Sequence, residues 1–182
     1  MADPLRVSPL ARLGLAARAG EGDAAVRLGW AVPSAMAILR GPPPDRLELP
    51  AAPNTVAGEA TRALWLGPDE WLLVGAVDVA ALERDGAMVV DVGHARAVIT
   101  VAGEYAVDVL AKGCPLDFDL AAFPVGACAQ SRLARTSALL HRRGEARFDL
   151  YVGRSFAVYT WQWLADAAAE LGHAVAGLDQ SG

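Results

Sequence analysis

The sequence predicts an α+β fold of antiparallel and mixed sheets, with helices packed on one face. Short apolar runs rich in Val, Ile and Leu recur along the 182 residues, bounded by Gly, Pro and Asp as strands usually are. They fall in the order strand–strand–helix, strand–strand–helix, then three strands and a helix. That order lacks the regular alternation of a parallel doubly wound sheet, and its strand-pair-then-helix unit is a weak internal repeat. At 54% hydrophobic residues the chain can bury a real core.

The elements follow in order. In "LRVSPLARLGLAARAG", Ser8 offers a hydroxyl cap and Pro9 suits the first helical position, with Gly20 as the stop. Residues 1–30 therefore read as an N-terminal arm or docking helix plus the first strand; the arginine-rich start only superficially suggests a transit peptide. Residues 31–177 read as one α+β domain, and residues 178–182 as a frayed tail. "AAVRLGW" and "SAMAILRG" are strands around Pro33, and "GPPPDRLELPAAPN" is an extended, exposed loop because its prolines lack donors. "RALWLGPDEWLLVG" is a hairpin turning at Gly67-Pro68-Asp69. Asp78 caps the short helix "VAALERDG", closed by Gly86. "AMVVDV" and "AVITVAG" are strands turning through "GHAR". The helix "EYAVDVLAKG" sets Tyr105, Val109 and Leu110 toward the core and ends at Gly113. "ACAQSRLA", "SALLHRR" and "ARFDLYVG" are three more strands, with Gly144-Glu145 turning the last pair. A final helix runs from Ser155 to Gly172.

Composition narrows the function classes. With 16 basic against 21 acidic residues the net charge is −5, which argues against nucleic acid or an anionic membrane as partner. Cys114 and Cys128 are too few for a disulfide framework, and His94, His141 and His173 show no metal-ligand spacing. No apolar run reaches the roughly 20 residues of a membrane span, so the cytoplasm is the expected location.

The run "VVDVGHARAVITVAGEYAVDVLAKGCPLD" nonetheless gathers Asp91, His94, Glu104, Lys112 and Cys114. A nucleophile system needs nucleophile, base and orienting group within hydrogen-bond reach. Cys114 lies a strand and a helix away from Asp91 and His94. It also follows a helix C-terminus, whose dipole raises a thiol pKa. The run therefore reads as framework, with a turn aspartate, a surface histidine and a semi-buried cysteine. No catalytic, cofactor-binding or metal-binding residues are expected. Lys112-Gly113-Cys114 opens like the motif of folate-dependent iron–sulfur assembly proteins, but Pro115-Leu116-Asp117 departs from it, so the segment reads as a helix stop.

The final helix carries two stripes. Ala157, Trp161, Leu164, Ala168 and Leu171 form one, suited to pack on a sheet. Phe156, Tyr159 and Trp163 lie roughly opposite, extended by Asp166 and Glu170. Large aromatics on a second face suit a partner surface, unless another part of the chain covers them.

Over Arg62–Gly172, "LWLGPDEWLLV", "DVGHARAVITVAG", "DVLAKGCPLDF", "FPVGACAQSRLA" and "FDLYVGRSFAVYTWQWL" together resemble the gamma subunit of heterotetrameric sarcosine oxidase. That subunit is in turn similar to the folate-binding fold of the glycine-cleavage T-protein, here in reduced form. "DVGHARAVITVAGEYAVDVL", Ala134–Thr136 and "FDLYV…WQWL" carry this second likeness. The resemblance implies a non-catalytic subunit of an enzyme that oxidises sarcosine to glycine and hydrogen peroxide and passes the one-carbon unit to tetrahydrofolate. It implies alpha, beta and delta subunits as partners, mainly the large alpha subunit. FAD, FMN, NAD and zinc would sit on those chains and none on this one. Where folate-binding members use a last-strand glutamate, Asp149 stands here, and "SALLHRRGEARF" replaces their tight glycine-rich turn. At this length the additional domains of a folate cleft are also expected to be missing, so the fold is expected to persist without the site. The alternative is a stand-alone folate-binding protein or small one-carbon transferase. A related complex oxidising another N-methyl amino acid is a third reading.

Overall fold

The computed structural model describes residues 8–15 and 24–179. In chain order these form β1 (Val26–Ala31), β2 (Ala35–Arg40), β3 (Val56–Ala57), β4 (Thr61–Gly67), β5 (Glu70–Gly75), α1 (Val79–Arg84), β6 (Met88–Asp91), β7 (Arg96–Ala102), α2 (Ala106–Ala111), β8 (Cys128–Leu133), β9 (Thr136–Gly144), β10 (Arg147–Gly153), α3 (Ala157–Ala167) and β11 (His173–Asp179). A six-stranded sheet has the order β11-β1-β7-β10-β9-β8, and a five-stranded sheet the order β3-β4-β5-β2-β6. Every pairing is antiparallel except β1 with β11, so the architecture is the mixed α+β arrangement expected.

Period-two alternation assigns each strand two faces, and the chain uses both. On β7, Ile99 and Val101 join the core beneath α2 and α3, while Val98 turns to the five-stranded sheet. On β5, Leu72 and Val74 meet Val98 between the sheets, while Trp71 and Leu73 face outward under α1. The result is four layers: α2 and α3, six strands, five strands, then α1 with Leu47 and Leu49 of the proline-rich loop. The expectation of helices on one face is therefore corrected. Leu82 of α1 covers the opposite face, because both faces of β5 are apolar and each needs burial.

Local chemistry explains most boundaries. Ser8 accepts a hydrogen bond from Leu10 N over a 3-10 turn, Pro9–Leu13, which ends at Gly14 with φ 63°. The expected stop at Gly20 lies outside the described residues. Asp78 caps α1 by accepting from Ala81 N at 2.9 Å, and the β4–β5 turn places Asp69 at φ 54°. Trp30 meets Trp161 edge to face at 6.1 Å, tying β1 to the apolar stripe of α3.

Other details depart from the sequence reading. The β6–β7 connection through "GHAR" is a crossover between sheets and not a hairpin. Tyr105 is exposed, and Ala106 takes its place beside Val109 and Leu110 in the core. Gly144 belongs to β9, so Glu145 and Ala146 make the turn. Ser155 does not cap α3; it lies in a 3-10 turn, and Phe156 occupies the N-cap without a side-chain bond. His173–Asp179, given no element in the sequence reading and reaching into the expected tail at 178–182, form strand β11. Among the described residues no helix is long and apolar enough to cross a membrane.

Candidate partner interface

The reactive residues of Val89–Asp117 do not converge. Asp91 Oδ1 accepts from Gly93 N at 2.7 Å, the short-range bond of a turn aspartate, and His94 is exposed in that turn. Cys114 is 5% exposed, and its Sγ lies 3.6 Å from Ser131 Oγ. Lys112 extends its ammonium to the Ala167 carbonyl at 2.5 Å and to Glu170. A cation there complements the C-terminal dipole of α3 and fastens α2 to α3. Among the described residues no group of three His, Cys, Asp or Glu side chains could hold a metal ion.

Gly113 has a role the sequence reading missed. Its backbone lies outside the left-handed region, so it is no ordinary glycine cap. A Cβ there would lie 2.5 Å from the Trp163 ring and 3.2 Å from Ala134 N. Glycine permits the indole to lie against the end of α2, and Gly113 O also accepts from Ala134 N at 2.8 Å. The β8–β9 hairpin tip, the end of α2 and α3 thus form one surface.

Of the three aromatics on the second stripe of α3, Phe156 is 49% exposed, while Tyr159 and Trp163 are half-buried. Trp163 packs on the main core as well as on Gly113. Its expected outward orientation is therefore corrected: α2 and the hairpin tip cover part of the ring. Tyr159 and Trp163 line a 700 Å³ groove with Lys112 and Cys114. Phe156 lines a second groove of 670 Å³, with Ile38, Val92 and Tyr151. Arg132 and Arg135, both exposed, line both grooves and so form the ridge between them.

A buried polar cluster lies between the sheets. Asp149 pairs with His141 across β10 and β9, and its Oδ2 accepts from Arg143 Nη1 at 2.9 Å. Burial pushes the Asp149 pKa up, with Arg143 opposing. Burial also draws His141 down to about 3, helped by the positive charges of Arg143 and Arg62. Burial raises the Tyr151 pKa; Arg62 lies close enough to oppose this, although the hydroxyl completes no bond of good geometry. The unused atoms, His141 Nδ1, Asp149 Oδ1 and Arg62 Nε, are likewise buried without a hydrogen-bond partner among the described residues. Asp149 is only 3% exposed and lines neither groove.

His141 gives the fold a predicted acid sensitivity. The folded pKa lies below the ordinary 6.5, so between these values the unfolded chain binds a proton that the fold rejects. Stability is then present above pH 6.5 and lost as the pH falls toward 3, by about 3 kcal/mol at pH 4. Urea unfolding from pH 7 to pH 4 checks this against His141→Gln, which cannot titrate. Parallel pH profiles for the two proteins would exclude His141 as the cause.

The sarcosine oxidase, gamma subunit family matches residues 31–170. The chain is 35% identical to sarcosine oxidase subunit gamma of Corynebacterium sp. (strain U-96), covering 91% of each chain. A chain of heterotetrameric sarcosine oxidase from Corynebacterium sp. U-96, solved in complex with pyrrole 2-carboxylate, superposes with a TM-score of 0.79. That match has 34% identity over 92% of this chain and 96% of that one. Glycine cleavage system aminomethyltransferase T from Bartonella henselae shares the fold at a TM-score of 0.64 and 15% identity, over 95% of this chain and 59% of that one.

Proposed function

The chain belongs to the sarcosine oxidase gamma subunit family, and we propose that it serves as the non-catalytic gamma subunit of a heterotetrameric sarcosine oxidase. In this reading the complex oxidises sarcosine to glycine and hydrogen peroxide and transfers the released one-carbon unit to tetrahydrofolate. FAD, FMN, NAD and zinc reside on the alpha, beta and delta subunits. The chain holds none of them and acts in the cytoplasm, packing mainly on the alpha subunit.

The supporting observation is how the reactive side chains are engaged. Asp91 closes a turn, Lys112 closes the end of α3, Cys114 is buried and Asp149 is paired with Arg143. Each has a structural task. The burial of Asp149 also disfavours the stand-alone folate-binding reading, since the carboxylate offers a ligand almost no accessible surface.

Co-expression of the tagged chain with the alpha, beta and delta subunits tests assembly. Native mass spectrometry is expected to find one copy of each, and elution of this chain alone would overturn the reading. Phe156, Tyr159 and Trp163 supply the apolar contact. Phe156→Ala is expected to weaken retention of the chain at least fivefold, as truncation of an interface anchor does, with little change in its melting temperature. Trp163→Ala is expected to lower both, because that ring also packs on the core.

A further inference from the structure

The chain carries 21 acidic and 16 basic residues, yet the surface around the β8–β9 hairpin tip reverses that balance. The charged residues lining its two grooves are Arg96, Lys112, Arg132 and Arg135, with no carboxylate among them. Lys112 is already neutralised by Glu170. Arg132 and Arg135 are different: both are exposed, and neither side chain makes a hydrogen bond or ion pair within the described residues. They stand between a mainly apolar groove ending at Phe156 and a more polar one walled by the Tyr159 and Trp163 rings.

We propose that this ridge and its two grooves dock an extended segment of a partner subunit carrying a carboxylate between apolar side chains. The carboxylate meets Arg132 and Arg135, and the flanking side chains enter the grooves. Guanidinium groups suit this task because their planar array of donors matches a carboxylate. An extended occupant also fits the sheet edge. β8 is the last strand of its sheet; Asn54 O and Leu66 O engage its start, at Cys128 N and Gln130 Nε2, and Ser131–Leu133 have no neighbouring strand on that side among the described residues. The inference rests on the subunit reading above and adds the chemistry of the docked partner.

The test uses the chain co-expressed with the alpha, beta and delta subunits. The double variant Arg132→Glu/Arg135→Glu is expected to reduce retention of the chain in the complex at least tenfold. Arg84→Glu, an exposed charge reversal on α1, is expected to leave retention unchanged. Arg132→Lys/Arg135→Lys keeps the charge and adds amines, so carbodiimide is expected to link them to an Asp or Glu flanked by apolar residues in one partner peptide. Full retention of the glutamate variant, or links to scattered surface carboxylates, would overturn the docking proposal while leaving the subunit reading intact. If the unaltered chain itself fails to assemble, both readings fall together. Circular dichroism of each variant separates lost docking from lost folding.

Discussion

Gly103→Ala is expected to destabilise the chain by about 3–4 kcal/mol, combining backbone strain with a steric clash. Gly103 adopts φ 114°, and a Cβ there would sit 2.4 Å from the Ala25 carbonyl oxygen. Its own N–H donates to Ala146 O at 3.0 Å, so the residue is fixed between the segments preceding β1 and β10. Neither backbone neighbour can rotate aside as a side chain could. Gly86→Ala provides the control, with φ 81° and open space around its added Cβ. It should cost only about 1 kcal/mol, the conformational part alone. Urea unfolding of both variants separates the effects; equal losses would show that the chain around Ala25 yields without penalty.

Arg143→Ala is expected to cost about 3 kcal/mol, because it strands a buried carboxylate. Asp149 is 3% exposed, and its pKa is already raised by burial despite Arg143. Loss of the guanidinium removes the largest opposing influence, leaving those of Arg62 and Arg147, and raises it further. A raised folded pKa contributes stability below the ordinary carboxylate value and loses it as the pH rises through the folded value. The variant should therefore suffer more at pH 8 than at pH 5, where the carboxyl can stay protonated. Replacing both partners, as Arg143→Met/Asp149→Leu, should recover much of the loss by removing both charges. Unfolding at these two pH values checks the sign; an equal cost at both would mean that water reaches the carboxylate.

The sequence made the hairpin at Gly67-Pro68-Asp69 and the packed stripe of α3 legible because both depend on neighbours close in the chain. β11 was hidden for the opposite reason. "HAVAGLD" is poor in β-branched residues and becomes a strand by pairing with Val26–Ala31, far away in sequence. The layer containing α1 was missed because a short helix does not announce which sheet face it covers. The polar cluster does leave a signal in the sequence. Period two places Asp149 and Tyr151 on one side of β10, and His141 and Arg143 on one side of β9. Those sides face the second sheet, so ionisable residues there point to a buried network. The partial burial of Trp163 had no sequence signal, since it depends on Gly113 and the hairpin tip meeting α3.

The pairing of β1 with both β7 and β11 has a consequence during synthesis. Once translated, β1 can recruit β7 on one side, but its other edge stays open until Asp179 emerges. At 5–20 residues per second, the interval from Ala31 to Asp179 is about 7–30 s. For that time the nascent chain displays an unpaired strand edge, a template for aggregation. Slow elongation between β1 and β11 would lengthen that exposure and with it the need for chaperones.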